Sequence, residues 1–197
     1  MQDVLILAND GSEEMEVLAP LDMLRRAGLS CCLCSLTSRN DFESSHGVVI
    51  RTDARYEDID PEDYRAIFLP GGLPGAETTA QRSDVQRLLQ KYVSDGKWIF
   101  SICAGPLALM TAGLSQDIQG TCYPGFEAQV AYQEAKTTPL VKDGKIVTAK
   151  GPAVAPYLGI AMVDCLCGRE LAMRIAEQTI FNDLVDYIRE VDEILAE

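Results

Sequence analysis

The chain has 197 residues, of which 47% are hydrophobic and 24% charged, as is typical of one globular domain. Its 17 basic and 30 acidic side chains give a formal net charge of −13, which disfavours binding to nucleic acid or anionic membranes. No apolar run approaches the ~20 residues of a membrane span. The N-terminus has no basic segment of the kind that opens a signal peptide, so we expect a cytoplasmic protein.

The first half of the chain alternates short apolar runs with amphipathic stretches. Continuous apolar runs predict buried strands over 3–8, 29–36, 65–69 and 97–102. The spacing of apolar residues predicts helices over 84–94 and 104–112, and a first helix capped by Ser12 and ended by Gly28. The buried stripe predicted for that first helix consists of Val17, Leu18, Leu21 and Leu24.

The second half is less regular. Residues 120–138 show no clear period, and 140–147 predict a hairpin because Asp143-Gly144 suits a type I′ turn. Gly151-Pro152 is expected to open another helix, and 169–181 to form the next one. Asn182 or Asp183 is positioned to cap a last helix. The apolar stripe expected for that helix is Leu184, Ile188, Val191 and Leu195.

Strand–helix alternation of this kind predicts an α/β fold with a mainly parallel sheet and helices on both faces. We expect a single domain over 1–181, with 182–197 as a C-terminal helical extension of it.

The chain has seven cysteines, an odd number, and they lie mostly in apolar runs, which argues against a disulfide framework. Cys31 and Cys34 have Cys-x-x-Cys spacing, but strand alternation would place them on opposite faces. His46 is the only histidine. We therefore expect neither a metal site nor a cofactor.

Cys103 is the most informative residue because it lies between a predicted buried strand and a predicted helix. Free N–H groups and the helix dipole at such a junction favour thiolate over thiol. The small residues Ala104 and Gly105 allow the sharp turn of a nucleophile elbow. The alternative is a small apolar residue that simply ends a core strand.

Other features are expected near Cys103 because the carboxyl ends of parallel strands meet at one edge of a sheet. Backbone N–H groups of the Gly71-Gly72 turn, together with that of Ala104, could form an oxyanion hole. An ordinary turn that needs a positive φ would also explain the two glycines. Asn9-Asp10-Gly11 lies at a third strand end.

Glu16 is set apart from the other acids of the first helix by Pro20, which cannot donate a hydrogen bond to the carbonyl of Glu16. The helix is therefore expected to start or kink near Glu16, which would turn its carboxyl toward the strand ends. Burial beside a thiolate would favour the protonated acid, which could donate a hydrogen bond to sulfur. The helix dipole acts in the opposite direction.

Four motifs resemble, in order and spacing, those of the ThiJ/PfpI superfamily, in the branch of the human parkinsonism-associated deglycase and the bacterial YajL-like proteins. They are Glu14-Met15-Glu16, Leu69-Pro70-Gly71-Gly72, Ile102-Cys103-Ala104-Gly105 and Gly151-Pro152. The resemblance extends from Val4 to about Phe181.

The resemblance implies a flavodoxin-like three-layer α/β sandwich and a homodimer. It also implies a reactive Cys103 hydrogen-bonded by a protonated Glu16, with Gly72 and Ala104 as oxyanion donors. Activities in the family include cofactor-independent conversion of methylglyoxal to lactate and deglycation of early glycation adducts. Oxidation of the cysteine to sulfinate as a stress signal is also known in the family.

The sequence departs from the family pattern in two places. Protease-like members have histidine directly after the nucleophile, where this chain has Ala104, and no histidine follows Cys103. A Cys-His protease and a glutamine amidotransferase are therefore disfavoured. The human-type branch has a site histidine where this chain has Tyr123, and a phenol is a poor base at neutral pH. His46, in the loop 43–47, is a candidate replacement.

Two hypotheses follow for a protein of carbonyl or oxidative stress defence. The first is a glyoxalase or deglycase that acts through a Cys103 hemithioacetal; the second is a non-catalytic redox sensor or chaperone in which Cys103 is oxidised to sulfinate. A binding domain with an inert cysteine is a third alternative. The enzyme is favoured over the sensor because an oxyanion turn has no evident use in a sensor.

Overall fold

A computed structural model describes residues 2–190, except for the side chains of 187–190. Part of the predicted C-terminal extension, including Val191 and Leu195, lies outside the described residues. No helix in the described part of the chain combines the length and the apolar character needed to cross a bilayer.

A seven-stranded sheet forms the centre of the molecule, and all of its strands are parallel except one at the edge. Its strands are β1 (Gln2–Ala8), β2 (Cys31–Ser35), β5 (Ala54–Arg55), β6 (Tyr64–Leu69), β7 (Trp98–Ile102), β10 (Leu140–Asp143) and β11 (Ile146–Ala149). Their order is β10-β11-β7-β6-β1-β2-β5. Two small ribbons complete the strands, β3 (Asp41–Glu43) with β4 (Val49–Arg51) and β8 (Gln119–Gly120) with β9 (Glu134–Ala135).

Helices cover both faces of this sheet, as the alternation in β1 requires. Val4 and Ile6 point into one core and Leu5 and Leu7 into the other, all fully or almost fully buried. The helices are α1 (Glu14–Arg26), α2 (Gly75–Ala80), α3 (Ser83–Ser94), α4 (Leu107–Thr111), α5 (Glu127–Val130), α6 (Ala155–Cys167), α7 (Arg169–Gln178) and α8 (Phe181–Glu190). The first core contains α1, α6 and α7, and the second contains α2, α3 and α4.

The predicted α/β architecture is confirmed, and so is the hairpin, in which Asp143 and Ile146 pair across the turn. The strand alternation predicted for Cys31 and Cys34 is also observed, because Cys31 packs against the first core and Cys34 lies in the second.

Two predictions for α1 are wrong. Its N-cap is Glu13, whose Oε2 accepts a hydrogen bond from the backbone N–H of Glu16 at 2.7 Å. The Ser12 hydroxyl instead accepts from the N–H of Asn9 at 3.0 Å and closes the turn that precedes the helix. Leu18 is not part of the buried stripe, since 41% of it is exposed.

Other helix boundaries also differ from the prediction. One is that of α8, which begins at Phe181, so Asn182 and Asp183 lie inside its first turn and do not cap it. The helix expected at 104 begins at Leu107, because residues 103–106 form a tight turn in which Gly105 N–H bonds to the carbonyl of Ile102 at 2.8 Å. Pro152 opens a short 3₁₀ turn, and α6 begins only at Ala155. The helix predicted over 169–181 ends at Gln178, because Ile180 adopts a positive φ of 59°.

Candidate functional site

Cys103 occupies a strained position at the end of β7. Its φ is 61°, which non-glycine residues adopt only when the surrounding structure holds them there. Two backbone hydrogen bonds do so: the N–H of Cys103 donates to Ala149 at 2.9 Å, and its carbonyl accepts from Tyr123 at 3.0 Å. The turn therefore has the features of a nucleophile elbow, with the thiol half-buried at the carboxyl end of the sheet.

Glycines let the ends of β6 and β7 approach this closely. A Cβ on Gly71 would lie 2.6 Å from Oε2 of Glu16 and 2.7 Å from Cβ of Cys103. A Cβ on Gly105 would lie 2.4 Å from the carbonyl oxygen of Leu69. Side chains at either position would separate the two strand ends and the two functional groups.

Glu16 lies in the first turn of α1 and its side chain is fully buried. Its Oε2 accepts a hydrogen bond from the N–H of Gly71 at 2.8 Å. Its Oε1 is buried without a regular hydrogen bond. The Cys103 thiol interacts with the same carboxyl, so acid and thiol form one buried pair.

Burial raises the pKa of Glu16 to about 7, against the opposing effects of the Cys103 thiol and the Gly71 N–H. Burial also raises the pKa of the Cys103 thiol, to about 12, and the charge of an ionised Glu16 adds to this rise. The N–H groups of Ala104 and Gly72 lower it, in the predicted direction, but do not outweigh the other effects.

The predicted acidic thiolate is therefore not the form that the structure favours. A helix dipole contributes little, because α4 begins four residues after Cys103 and is only five residues long. Near pH 7 the carboxyl loses the first proton of the pair, which places a carboxylate base beside a thiol. Such a pair can transfer a proton at the moment when sulfur attacks a substrate.

A cavity of about 310 Å³ opens above the thiol. It is lined by Ser45, Gly72, Leu73, Cys103, Ala104, Tyr123 and Phe126. Sequence reasoning missed Ser45, Leu73 and Phe126. Leu73 directly follows the Gly71-Gly72 turn, which was a usable signal, whereas Phe126 lies in the segment that shows no period.

The predicted residues divide into those at the cavity and those beside it. Cys103, Gly72, Ala104 and Tyr123 line it, and Glu16 lies buried beneath it. His46 does not line the cavity; its ring is 68% exposed and pairs through Nδ1 with Glu14 at 2.9 Å.

Two other groups lie near the site without belonging to it. Asp10, in the predicted third strand-end turn, forms an ion pair with Arg39 at 2.8 Å and does not line the Cys103 cavity. Among the described residues, Glu13, Glu14 and His46 bring three possible metal-ligating atoms within 4.8 Å of one another. Glu13 already caps α1 and Glu14 already pairs with His46. The absence of a metal site stays a prediction.

Fold and site together define an α/β protein with a cysteine at a nucleophile elbow and a buried acid beside it. The model of the DJ-1/PfpI family matches residues 2–164, and the chain belongs to that family. The family predicted from the four sequence motifs is thereby confirmed.

Relatives of known name share about a third of their residues with this chain. The Danio rerio Parkinson disease protein 7 homolog is 31% identical over 186 residues, which are 91% of this chain and 97% of that protein. A Pyrococcus abyssi protein named as a deglycase is 31% identical over 154 residues, 76% of this chain and 90% of that protein. The Arabidopsis thaliana DJ-1 homolog B is 34% identical over 175 residues, 88% of this chain, which spans only 40% of its length.

Solved structures agree with this assignment. Oxidized Toxoplasma gondii DJ-1 superimposes with a TM-score of 0.87 at 31% identity, covering 91% of this chain and 98% of that one. Drosophila melanogaster DJ-1beta gives the same TM-score of 0.87 and the same coverage at 30% identity.

Proposed function

We propose that the protein is a cofactor-independent glyoxalase-type enzyme that converts small 2-oxoaldehydes such as methylglyoxal to 2-hydroxy acids through a Cys103 adduct. The observation that carries the proposal is the buried pair of Glu16 and Cys103, in which burial raises the pKa of the acid to about 7. A group with that pKa can take up and return a proton at neutral pH. In a deglycase, the sulfur would displace the amine from a carbinolamine carbon, and Glu16 would pass the thiol proton to the departing nitrogen.

In the first step, the sulfur of Cys103 bonds to the aldehyde carbon of methylglyoxal while the thiol proton passes to the carboxylate of Glu16. The carbonyl oxygen becomes an oxyanion that accepts hydrogen bonds from the N–H groups of Gly72 and Ala104, the two groups already aimed at sulfur. Glu16 returns its proton to this oxygen, which gives a neutral hemithioacetal.

In the second step, Glu16 removes the hydrogen of the former aldehyde carbon as a proton and delivers it to the neighbouring carbon through an enediol, while the hemithioacetal hydroxyl proton passes to the former ketone oxygen. The hemithioacetal carbon is oxidised to a thioester while the ketone is reduced to an alcohol, so no external oxidant or reductant is needed. Water then cleaves the thioester, releasing lactate and restoring the thiol. The sum is methylglyoxal plus water to lactate.

The test is lactate production from methylglyoxal by wild type, Cys103→Ser and Glu16→Gln, with Cys167→Ser as a matched control. Cys167 is an exposed thiol far along the chain from the elbow. We expect the first two variants to lose at least about 100-fold in kcat/KM, as is usual when a nucleophile or a general base is removed, and Cys167→Ser to retain activity. Equal rates in all four proteins would refute the proposal that Cys103 and Glu16 catalyse this reaction.

The alternative function, a redox sensor, is supported by one feature of the site and one relative. Glu16 Oε1 is buried without a regular hydrogen bond, so an oxygen added to the sulfur could become its partner. The Toxoplasma relative was solved in an oxidized form. Each of two peroxide molecules would transfer one oxygen to sulfur and leave as water, giving first sulfenic and then sulfinic acid.

Mild peroxide treatment followed by intact mass and peptide mapping tests the sensor. We expect two oxygens to appear on Cys103 before any other cysteine in the wild type, and one oxygen at most in Glu16→Gln. Oxidation scattered over Cys165 and Cys167 at the same rate would contradict the sensor hypothesis without bearing on the enzyme.

A further inference from the structure

Tyr123 and Phe126 form one wall of the cavity above Cys103, and backbone hydrogen bonds connect this wall to the elbow. The N–H of Tyr123 donates to the carbonyl of Cys103 at 3.0 Å, and the N–H of Phe126 donates to the carbonyl of Tyr123 at 3.1 Å. Upstream, the N–H of Thr121 bonds to the hydroxyl of Thr148 at 2.9 Å. The main chain that carries the two aromatic residues is thus connected to the elbow by hydrogen bonds, although the segment has almost no regular secondary structure.

The rings of this wall are available to a ligand. Tyr123 is 46% exposed, and its ring lies beside Gly151, where an added Cβ would be 3.3 Å from Cδ2. Phe126 packs against the second core with part of its surface left free. Leu73, also 46% exposed, adds a third apolar side chain from the turn after β6. The cavity therefore presents apolar surface next to a polar reacting centre, the usual composition of a small-molecule site.

The lining of the cavity has no charged side chains. Among the seven lining residues, Ser45 is the one polar side chain apart from the thiol and the phenol. Next to the lining residues in sequence, His46 pairs with Glu14, and Glu127 accepts a hydrogen bond from the N–H of Gly125 at 2.7 Å. A guanidinium or ammonium group would find no partner among the lining residues, and a carboxylate would meet a protein of net charge −13.

Size favours the same class of substrate. The cavity measures about 310 Å³, near the lower end of the range that holds small organic ligands. A methyl substituent would leave most of it to water, whereas a ring would fill more of it and cover more of its apolar lining. Each additional apolar carbon that leaves water for such a surface improves binding in the transition state.

We infer that Tyr123 and Phe126 make this a site for 2-oxoaldehydes whose second substituent is apolar and of ring size, the arylglyoxal type. Methylglyoxal and adducts borne on charged amino-acid side chains are poorer substrates. The inference rests on the proposed function, because it assigns the substrate class of the same Cys103 chemistry. Phenylglyoxal plus water would give mandelate by the steps written above.

The experiment measures kcat/KM for phenylglyoxal (as mandelate) and for methylglyoxal (as lactate) in wild type, Phe126→Ala, Phe126→Leu, Tyr123→Ala and Tyr123→Phe. We expect phenylglyoxal to be favoured at least about tenfold in the wild type. The ratio should fall at least about fivefold in the two alanine variants and stay within about twofold of wild type in Tyr123→Phe and Phe126→Leu, which keep apolar bulk. Tyr157→Ala is the matched control, because Tyr157 is 44% exposed and lies outside this cavity.

The outcomes separate the inference from the function. Turnover of neither glyoxal by the wild type would overturn both. If Cys103→Ser abolishes turnover but the wild type prefers methylglyoxal, the inference alone is overturned. The same holds if the alanine variants leave the ratio of the two kcat/KM values unchanged. Thermal unfolding of each variant identifies a loss of fold, and Tyr123→Ala, at a residue that is 46% exposed, tests the same wall if Phe126→Ala does not fold.

Discussion

A carboxyl and a thiol that share one buried site make the protonation of each depend on the other. Burial raises the pKa of Glu16 to about 7, while burial and the Glu16 charge raise that of Cys103 to about 12. The carboxyl therefore loses the first proton of the pair, and the carboxylate that forms can take the thiol proton when the sulfur attacks. This gives the chain a base next to its nucleophile although Tyr123 stands where the related branch has histidine.

The pH dependence of Cys103 alkylation by iodoacetamide tests this pair. Below pH 7 Glu16 is protonated and cannot accept the thiol proton, so in the wild type we expect the rate to rise with pH through about 7. Gln cannot accept a proton, and burial still opposes the thiolate, so in Glu16→Gln the rise should move above the ordinary thiol value of 9.0. A profile that the substitution leaves unchanged would show that Glu16 does not take the proton.

For single residues, the sequence predicts which of them form the site better than it predicts their pKa values. The strand-to-helix junction picks out Cys103, and parallel-strand geometry brings Gly72 and Ala104 to it. The sign of the net shift in the pKa of Cys103 could not be predicted, because it depends on how deeply the pair is buried. Phe126 could not be found either, since a non-local hydrogen bond from Tyr123 to Cys103 places its segment.

At the level of elements, the turn between β6 and α2 has no room for a side chain at Gly72. Gly72 has a φ of +87°, and a Cβ there would lie 2.3 Å from the N of Glu13 and 2.4 Å from the O of Gly11. Both contacts are to backbone, which cannot move aside as a side chain would. The periodicity of apolar residues predicts the flanking strand and helices, but only the folded structure shows this contact with the start of α1.

Gly72→Ala should therefore destabilise the fold by about 2–5 kcal/mol, from an unfavourable φ plus overpacking. Gly28→Ala is the matched control, because Gly28 has a similar φ of +78° with nothing within 4 Å of an added Cβ. Gly28→Ala should lower the free energy of unfolding by only about 1–2 kcal/mol, from the unfavourable φ alone. Urea unfolding of both variants measures the difference, and equal losses would mean that the turn relaxes without cost.

For the whole molecule, one notable feature is a set of apolar side chains left exposed near the start of α1 and on the neighbouring ribbon. Met15 is 52% exposed and Leu18 41%, and the β3–β4 ribbon adds Val48 at 47% and Val49 at 66%. The His46–Glu14 pair connects the ribbon to the helix, so the four side chains lie on neighbouring elements. We propose that this surface is the contact of the homodimer that the family resemblance implies.

Charge sets the conditions under which such a dimer forms. Two copies with a net charge of −13 each repel one another, so apolar contact must supply the attraction and added salt should strengthen association. We expect the wild type to sediment as a dimer and the double variant Leu18→Asp, Val49→Asp as a folded monomer. Val93→Asp, at a site on α3 that is 44% exposed, should leave the dimer intact. A wild type that is monomeric even at 0.5 M salt would show that no such dimer forms. A dimer that only Val93→Asp disrupts would show that the contact lies on another surface.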